Sequence, residues 1–348
     1  MNLEAAIGDQ VRRAVRSPFL KISTVEKLKG EASNRSYYRV RHGGPTESSI
    51  VMVMPKDARS EEATKGETPA ELPFVNVHRY LSALNVRVPK ILHFDELAGM
   101  MVLEDLGDIT FELALESGKN NQVFYARAVD NLARLRAASE KKRDPQCIAF
   151  QRAFDEDLYN WELHHFREWG LEIWSEQKPS ISQREELNRW FRSISAELAA
   201  EPRGFTHRDY QSRNIMVKGD ELIVIDFQDA LQGPRQYDLV ALLRDSYVEL
   251  DLPFVESMLD RYLDAFKDAG GAKLEGDAFK SAFHLLTVQR KLKDAGRFEF
   301  IHRVKGNSGF LVSIPASLRY VRDAFSRCPQ LSALQDLLSQ FLPVLQKR

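Results

Sequence analysis

His207-Arg208-Asp209-Tyr210-Gln211-Ser212-Arg213-Asn214 is followed, after a short connection, by Ile225-Asp226-Phe227. The connection reads as a hairpin. Apolar runs at 214–217 and 222–227 flank Lys218-Gly219-Asp220, and a tight turn of that length favours glycine. Phosphoryl transfer from ATP needs a carboxylate to orient the attacking hydroxyl and accept its proton. It also needs oxygen ligands that hold Mg2+ against the phosphates. The spacing H-R-D-x-x-x-x-N with a downstream D-F supplies both. Asp209 is then the candidate base, and Asn214 and Asp226 are the candidate Mg2+ ligands. The hairpin between them returns the second ligand to the first.

Upstream, the chain reads as strands. Residues 21–28, 36–41 and 49–54 are short runs of β-branched, aromatic or sulfur-bearing side chains, the last two separated by His42-Gly43-Gly44-Pro45. Residues 56–70 are charged and lack apolar periodicity, which predicts an exposed loop. Thr68-Pro69 reads as a helix start, followed by apolar residues at helical spacing from Leu72 to Leu84. Residues 91–94 and 100–103 complete a set of five strands. The prediction is a small antiparallel sheet with one helix.

Beyond Asp108 the periodicity turns helical, over 121–138, 154–169, 184–199, 237–250, 254–268, 279–292, 314–325 and 331–345. The composition shift near 104–110 predicts two domains: 1–106, ending in a hinge, and 107–348. The fold class expected is α+β, a two-lobed protein-kinase-like fold with a small sheet lobe and a larger helical lobe.

The 348 residues carry 49 Lys+Arg against 50 Asp+Glu, a net charge of −1 that argues against a general nucleic-acid or membrane-surface binder. Two cysteines cannot build a disulfide framework and have no metal-ligand spacing. The opening Met1-Asn2-Leu3-Glu4 lacks the build of a signal peptide, and no apolar run approaches the roughly 18–20 residues that span a bilayer. A reduced, cytoplasmic location is the expectation.

Several stretches together resemble the aminoglycoside-phosphotransferase superfamily, with the bacterial N-acetylmuramate/N-acetylglucosamine anomeric kinases of cell-wall recycling as the nearest likeness. They are Glu31-Ala32-Ser33-Asn34-Arg35-Ser36-Tyr37-Tyr38-Arg39-Val40, Val102-Leu103-Glu104-Asp105-Leu106-Gly107, Thr206 to Asn214, and Ile225-Asp226-Phe227-Gln228-Asp229-Ala230. Gly233-Pro234, Tyr237-Asp238-Leu239-Val240, and Val288-Gln289-Arg290-Lys291-Leu292-Lys293 with Gly296 and Phe298 extend the likeness over most of the chain. The resemblance implies an ATP- and Mg2+-dependent kinase of a small sugar or alcohol, acting on an amino sugar at its anomeric hydroxyl. It implies an adenine-binding hinge at Glu104 to Leu106, read through backbone groups. Two features depart from the protein-kinase pattern: the third strand, Ile50 to Met54, has no lysine, and one glycine, Gly30, stands where a glycine-rich loop has three. Ser33 and Asn34 are the phosphate-facing candidates in that turn.

Other residues carry two readings. Gln289 and Arg290 bind sugar or phosphate, or form a solvated helix face. Arg213 steadies the transferred phosphoryl group, or is a surface cation. His207 is read as packing beneath the loop, and Asp238 as accepting backbone N–H groups that brace it. Phe154, Leu158, Trp161, His165 and Trp169 form a stripe read as core before carbohydrate platform. Two other functions remain in view: an aminoglycoside or other amino-alcohol kinase, and a non-catalytic nucleotide-binding pseudokinase. From Leu231 to Arg348 there are 17 Lys+Arg and 14 Asp+Glu, a balance that disfavours a polycationic acceptor. The presence of Asp209 together with both metal-ligand candidates disfavours the pseudokinase.

Overall fold

The computed structural model describes residues 2–28, 35–43, 46–54, 71–118 and 121–347. In chain order, helix α1 (Leu3–Val15) precedes strands β1 (Ile22–Lys27), β2 (Ser36–His42) and β3 (Ser48–Val53). Helix α2 (Pro73–Ala83) and strands β4 (Ile91–Asp95) and β5 (Met100–Glu104) follow. Next come α3 (Phe111–Glu116), α4 (Asn121–Lys141) and α5 (Glu156–His165), which runs into a π-helical segment, Phe166–Ile173. After α6 (Ile181–Ala200), four short strands appear: β6 (Arg203–Thr206), β7 (Ile215–Lys218), β8 (Glu221–Val224) and β9 (Leu231–Pro234). The chain closes with α7 (Tyr237–Leu243), α8 (Leu252–Asp268), α9 (Gly276–Lys305), α10 (Ile314–Phe325) and α11 (Ser332–Ser339).

Two compact units divide these elements: described residues within 1–70, 87–109 and 216–225, and those within 71–86, 110–215 and 226–348. The units interleave along the chain. Helix α2 belongs to the second because its aromatic face packs there, Phe74 on Phe227 at 4.8 Å and Tyr80 on Phe205 at 5.5 Å. Residues 216–225, with β8 and most of β7, belong to the first.

The first unit is a five-stranded antiparallel sheet in the order β1-β2-β3-β5-β4. Helix α1, which the sequence reading did not contain, buries Ile7 and Val11 against Val40, Val51, Met100 and Val102. Asn2 caps its start and Arg16, at φ +56°, ends it. The β7–β8 turn holds Gly219 at φ +60°, the conformation that makes glycine the natural residue there. The predicted loop at 56–70 and the Thr68-Pro69 start lie outside the described residues. Among the described residues the helix runs from Pro73, with proline in its first turn.

The second unit is mostly helical, around the 30-residue α9. Gly296 lies in the middle of α9, where a helix loses about 1 kcal/mol relative to alanine. Its reason is packing: an added Cβ would stand 2.7 Å from the Phe166 Cα. The predicted helix over 237–250 stops at Leu243, because Asp245 turns its carboxylate onto backbone N–H groups outside the helix.

Candidate active site

In the second unit, β6 delivers the chain to His207 and the loop reaches Asn214 through a single 3-10 turn, Ser212–Asn214. Arg208 has φ +82° and Asp226 φ +62°, both left-handed and neither a glycine. Such conformations need outside support. Asp238 supplies it to the loop, its Oδ2 accepting the His207 N–H at 2.7 Å and its Oδ1 the Arg208 N–H at 2.9 Å. The Asp238 brace read from the sequence is therefore present. Burial raises the Asp238 pKa, while the His207 charge and the two N–H bonds oppose that rise. His207 lies beneath the loop, and its Nδ1 accepts the Asp209 N–H at 3.2 Å.

Asp209 stands with its side chain 37% exposed, and one carboxylate oxygen accepts a bond from Arg290 at 3.3 Å. Burial would raise its pKa, but the charges of Arg290, Arg208, Lys293 and His207 outweigh that and hold it below the usual carboxylate range. Ionised and partly open, Asp209 can accept a proton from a hydroxyl. Asn214 donates its amide Nδ2 to the Asp209 carbonyl at 2.9 Å, which leaves Oδ1 as its ligand atom. Asp226 is an exposed residue whose carboxylate accepts the Gln228 amide at 2.8 Å. The protein packed behind it raises its pKa, the Gln228 bond opposes this, and the Asp209 charge raises it further.

These groups fit a hard divalent cation: an amide oxygen, and a carboxylate in surroundings that the neighbouring Asp209 and Asp229 charges make more negative. Among the described residues no cluster of three His, Cys, Asp or Glu side chains is arranged for a metal. Asn214 and Asp226 are the residues that could hold such a cation, together with oxygens brought by phosphates.

Two substrate candidates change role. Gln289 is wholly buried and donates to Glu162 at 2.8 Å, so it packs α9 onto α5 and is not presented to a substrate. Arg213 makes a two-pronged pair with Glu112, at 2.8 and 3.1 Å, and its guanidinium lies 3.6 Å over the Tyr247 ring. That arrangement fixes the turn carrying Asn214. Arg290 is 1% exposed and lies 4.6 Å over Tyr237, reaching the site through Asp209 itself.

The sequence reading missed the second brace of the loop. Asp245, wholly buried, accepts the Ser212 N–H at 2.7 Å, while Lys291 binds the neighbouring Ser246 hydroxyl and Asp294. An acidic residue followed by serine just past an apolar helix was the available signal.

In the first unit, the Glu104 carboxylate accepts bonds from Arg87 at 2.7 Å and Lys218 at 3.3 Å, so only its backbone is left for a ligand. Leu106 packs with Met216, Ile223 and Ile225, an apolar surface suited to a base. Arg39, unanticipated, clamps this segment with bonds to Asp105 at 2.8 and 3.1 Å, Asp108 at 2.7 Å and the Gly107 carbonyl at 3.1 Å. Ser33 and Asn34 lie outside the described residues.

Known proteins resemble this chain over most of its length. The model of the phosphotransferase enzyme family, APH, matches residues 24–276. An N-acetylmuramate/N-acetylglucosamine kinase of Neisseria meningitidis serogroup B is 31% identical over 316 residues, 90% of this chain and 89% of that protein. A kinase of the same name from Pseudomonas aeruginosa is 32% identical, over 89% of this chain and 86% of that one. Among solved structures, the ADP-bound aminoglycoside phosphotransferase APH(2'')-Ib superposes with a TM-score of 0.58 at 14% identity, covering 93% of this chain and 99% of its own. That likeness shows the fold: two-lobed, protein-kinase-like and α+β.

Proposed function

This chain belongs to the phosphotransferase enzyme family, APH, and we propose that it transfers the terminal phosphoryl group of ATP to the anomeric hydroxyl of an amino sugar of the N-acetylmuramate/N-acetylglucosamine type. The observation that carries the reading is the partly exposed Asp209 carboxylate, held ionised by Arg290 on a loop braced by Asp238. The acceptor follows from the names of the relatives.

Asp209 orients the acceptor hydroxyl and takes its proton, a role worth roughly 10²–10⁴-fold. Asn214 and Asp226 hold Mg2+, which when bound neutralises charge on the phosphates. The backbone of Glu104 to Leu106 reads the adenine, with Leu106 and its apolar neighbours against the ring. The unit holding the sheet, with 87–109 and 216–225, is the nucleotide-binding part, and the mostly helical unit is the catalytic and acceptor part, so the sequence boundary at 106 is replaced by an interleaved one. Among the described residues no helix is long and apolar enough to cross a membrane, and a supply of ATP makes the cytoplasm the proposed location.

The test is a screen of purified protein with Mg-ATP against N-acetylmuramate, N-acetylglucosamine, aminoglycosides, choline and homoserine, reading ADP release and loss of the sugar's reducing end. Turnover of another alcohol with none of either amino sugar overturns the acceptor while keeping the kinase.

A further inference from the structure

Asp226 is an exposed residue on a left-handed backbone, at φ +62°. A carboxylate so placed turns about its side-chain bonds unless a neighbour bonds to it. Gln228, two residues on, does so. Its Nε2 donates to Asp226 Oδ1 at 2.8 Å and to Asp229 Oδ2 at 3.3 Å. The amide nitrogen must be the atom that faces this pair, because two carboxylates offer only acceptors. Like charges repel, and the Asp229 charge acts on Asp226. One amide group with two N–H donors bonds to both and stands between them.

Gln228 is itself anchored. It is 6% exposed, and its carbonyl accepts Arg152 Nη2 at 2.6 Å, while Arg152 Nε donates to the Ala230 carbonyl at 2.9 Å. One guanidinium therefore holds the chain on both sides of Asp229. Arg152 is fixed in turn. Its carbonyl accepts the Gln232 N–H at 2.9 Å, and Ala153 forms a β-bridge with Gln232 of β9. Between Asp226 and Gln228, Phe227 is wholly buried against Phe74, and its carbonyl accepts the Ala230 N–H at 3.1 Å. The exposed carboxylate is thus gripped from a fixed base. A glycine in the third place, as in the D-F-G of protein kinases, has no side chain to make this contact.

We propose that Gln228 is a positioning residue for the cation, acting through Asp226: its amide holds one carboxylate oxygen and so presents the other in a single orientation, with Arg152 anchoring the Gln228 backbone. A side chain fixed before binding does not charge its lost freedom to the binding step. The inference rests on the reading of Asp226 as a metal ligand and adds the residue that orients it.

Gln228→Met keeps the length and removes the donor. In calorimetric titrations of ADP over a series of Mg2+ concentrations, the Mg2+ dissociation constant should rise about three- to tenfold, the scale of one side chain left unfixed. ADP binding without metal should stay within about twofold of wild type. Mn2+ binding followed by electron paramagnetic resonance should weaken by the same factor as Mg2+ binding. Arg152→Lys keeps the charge but loses the fork that bridges two carbonyls. It should weaken Mg2+ binding in the same sense and gives the same reading should Gln228→Met fail to fold. Mg2+ binding that is unchanged or tighter in the folded variants, or a loss shared equally by metal-free ADP, overturns the positioning role while leaving Asp226 a ligand. An Asp226→Ala variant that keeps the wild-type Mg2+ dependence overturns the metal-ligand reading and this inference together.

Discussion

The carboxylate of Asp238 accepts the Arg208 N–H at 2.9 Å, and that bond holds a residue at φ +82°. A left-handed non-glycine residue costs about 1–2 kcal/mol, so the helix bearing Asp238 offsets strain in the loop bearing Asp209. Asp238→Ala leaves two N–H groups of the loop unpaired, at about 1–3 kcal/mol each. Thermal unfolding should show a loss of several degrees, and kcat should fall even at temperatures where the variant is folded. Asp238→Asn retains one acceptor oxygen and should recover part of both.

Asp209→Asn removes the proton acceptor and keeps the shape. Turnover should fall by roughly 10²–10⁴-fold, with Mg-ATP binding by calorimetry close to wild type. A variant keeping most of its kcat contradicts the base assignment.

Asp226→Ala removes the one carboxylate expected to reach the cation. Nucleotide binding should lose its dependence on Mg2+, read by titrating ADP with and without the metal. Equal Mg2+ enhancement in variant and wild type would show that Asp226 is not a ligand.

Arg39 and Asp105 are both about 8% exposed, so breaking their pair with Arg39→Met should cost about 3–5 kcal/mol near neutral pH. Burial would raise the Asp105 pKa, but the bonds from Arg39, the Gly107 N–H and Ser48 hold it below the ordinary value. A depressed folded-state pKa gives stability that is present above the unfolded pKa and lost as pH falls through the folded one. The stability gap between wild type and Arg39→Met, from urea unfolding, should therefore be widest near pH 6 and narrow below about pH 4. A gap constant from pH 6 to pH 3 excludes the ion pair as its source.

Gly296→Ala gains about 1 kcal/mol of helix propensity but drives a Cβ to 2.7 Å from the Phe166 Cα. Backbone cannot yield as a flexible side chain does. The expected net loss is about 1–3 kcal/mol in urea unfolding; a variant as stable as wild type contradicts the close packing at Phe166.

How much was legible differs from residue to residue. The strands at 36–42 and 48–53 and the hairpin at 215–224 follow from short-range patterns, and each is present; the Asp238 brace, also present, was read from its place at a helix start and not from any local period. Helix α1 escaped because its Ile7 and Val11 make sense only against Val40 and Val102 of the sheet. Gln289 and Arg290, adjacent and equally polar, could not be told apart in the sequence, yet one bonds to Glu162 in the interior and the other to Asp209.

The sequence by itself determined the candidate residues: a carboxylate, an amide and a second carboxylate at fixed spacing, because a loop and a hairpin are local and keep their residues close. The tertiary structure decided what surrounds them. Arg290 lies 81 positions from Asp209 and Asp245 lies 33 from Ser212, and no local period encodes such a separation. The close crossing at Gly170 and Gly296, which sets Phe300 of α9 edge-on to Trp169, likewise joins residues far apart in the sequence.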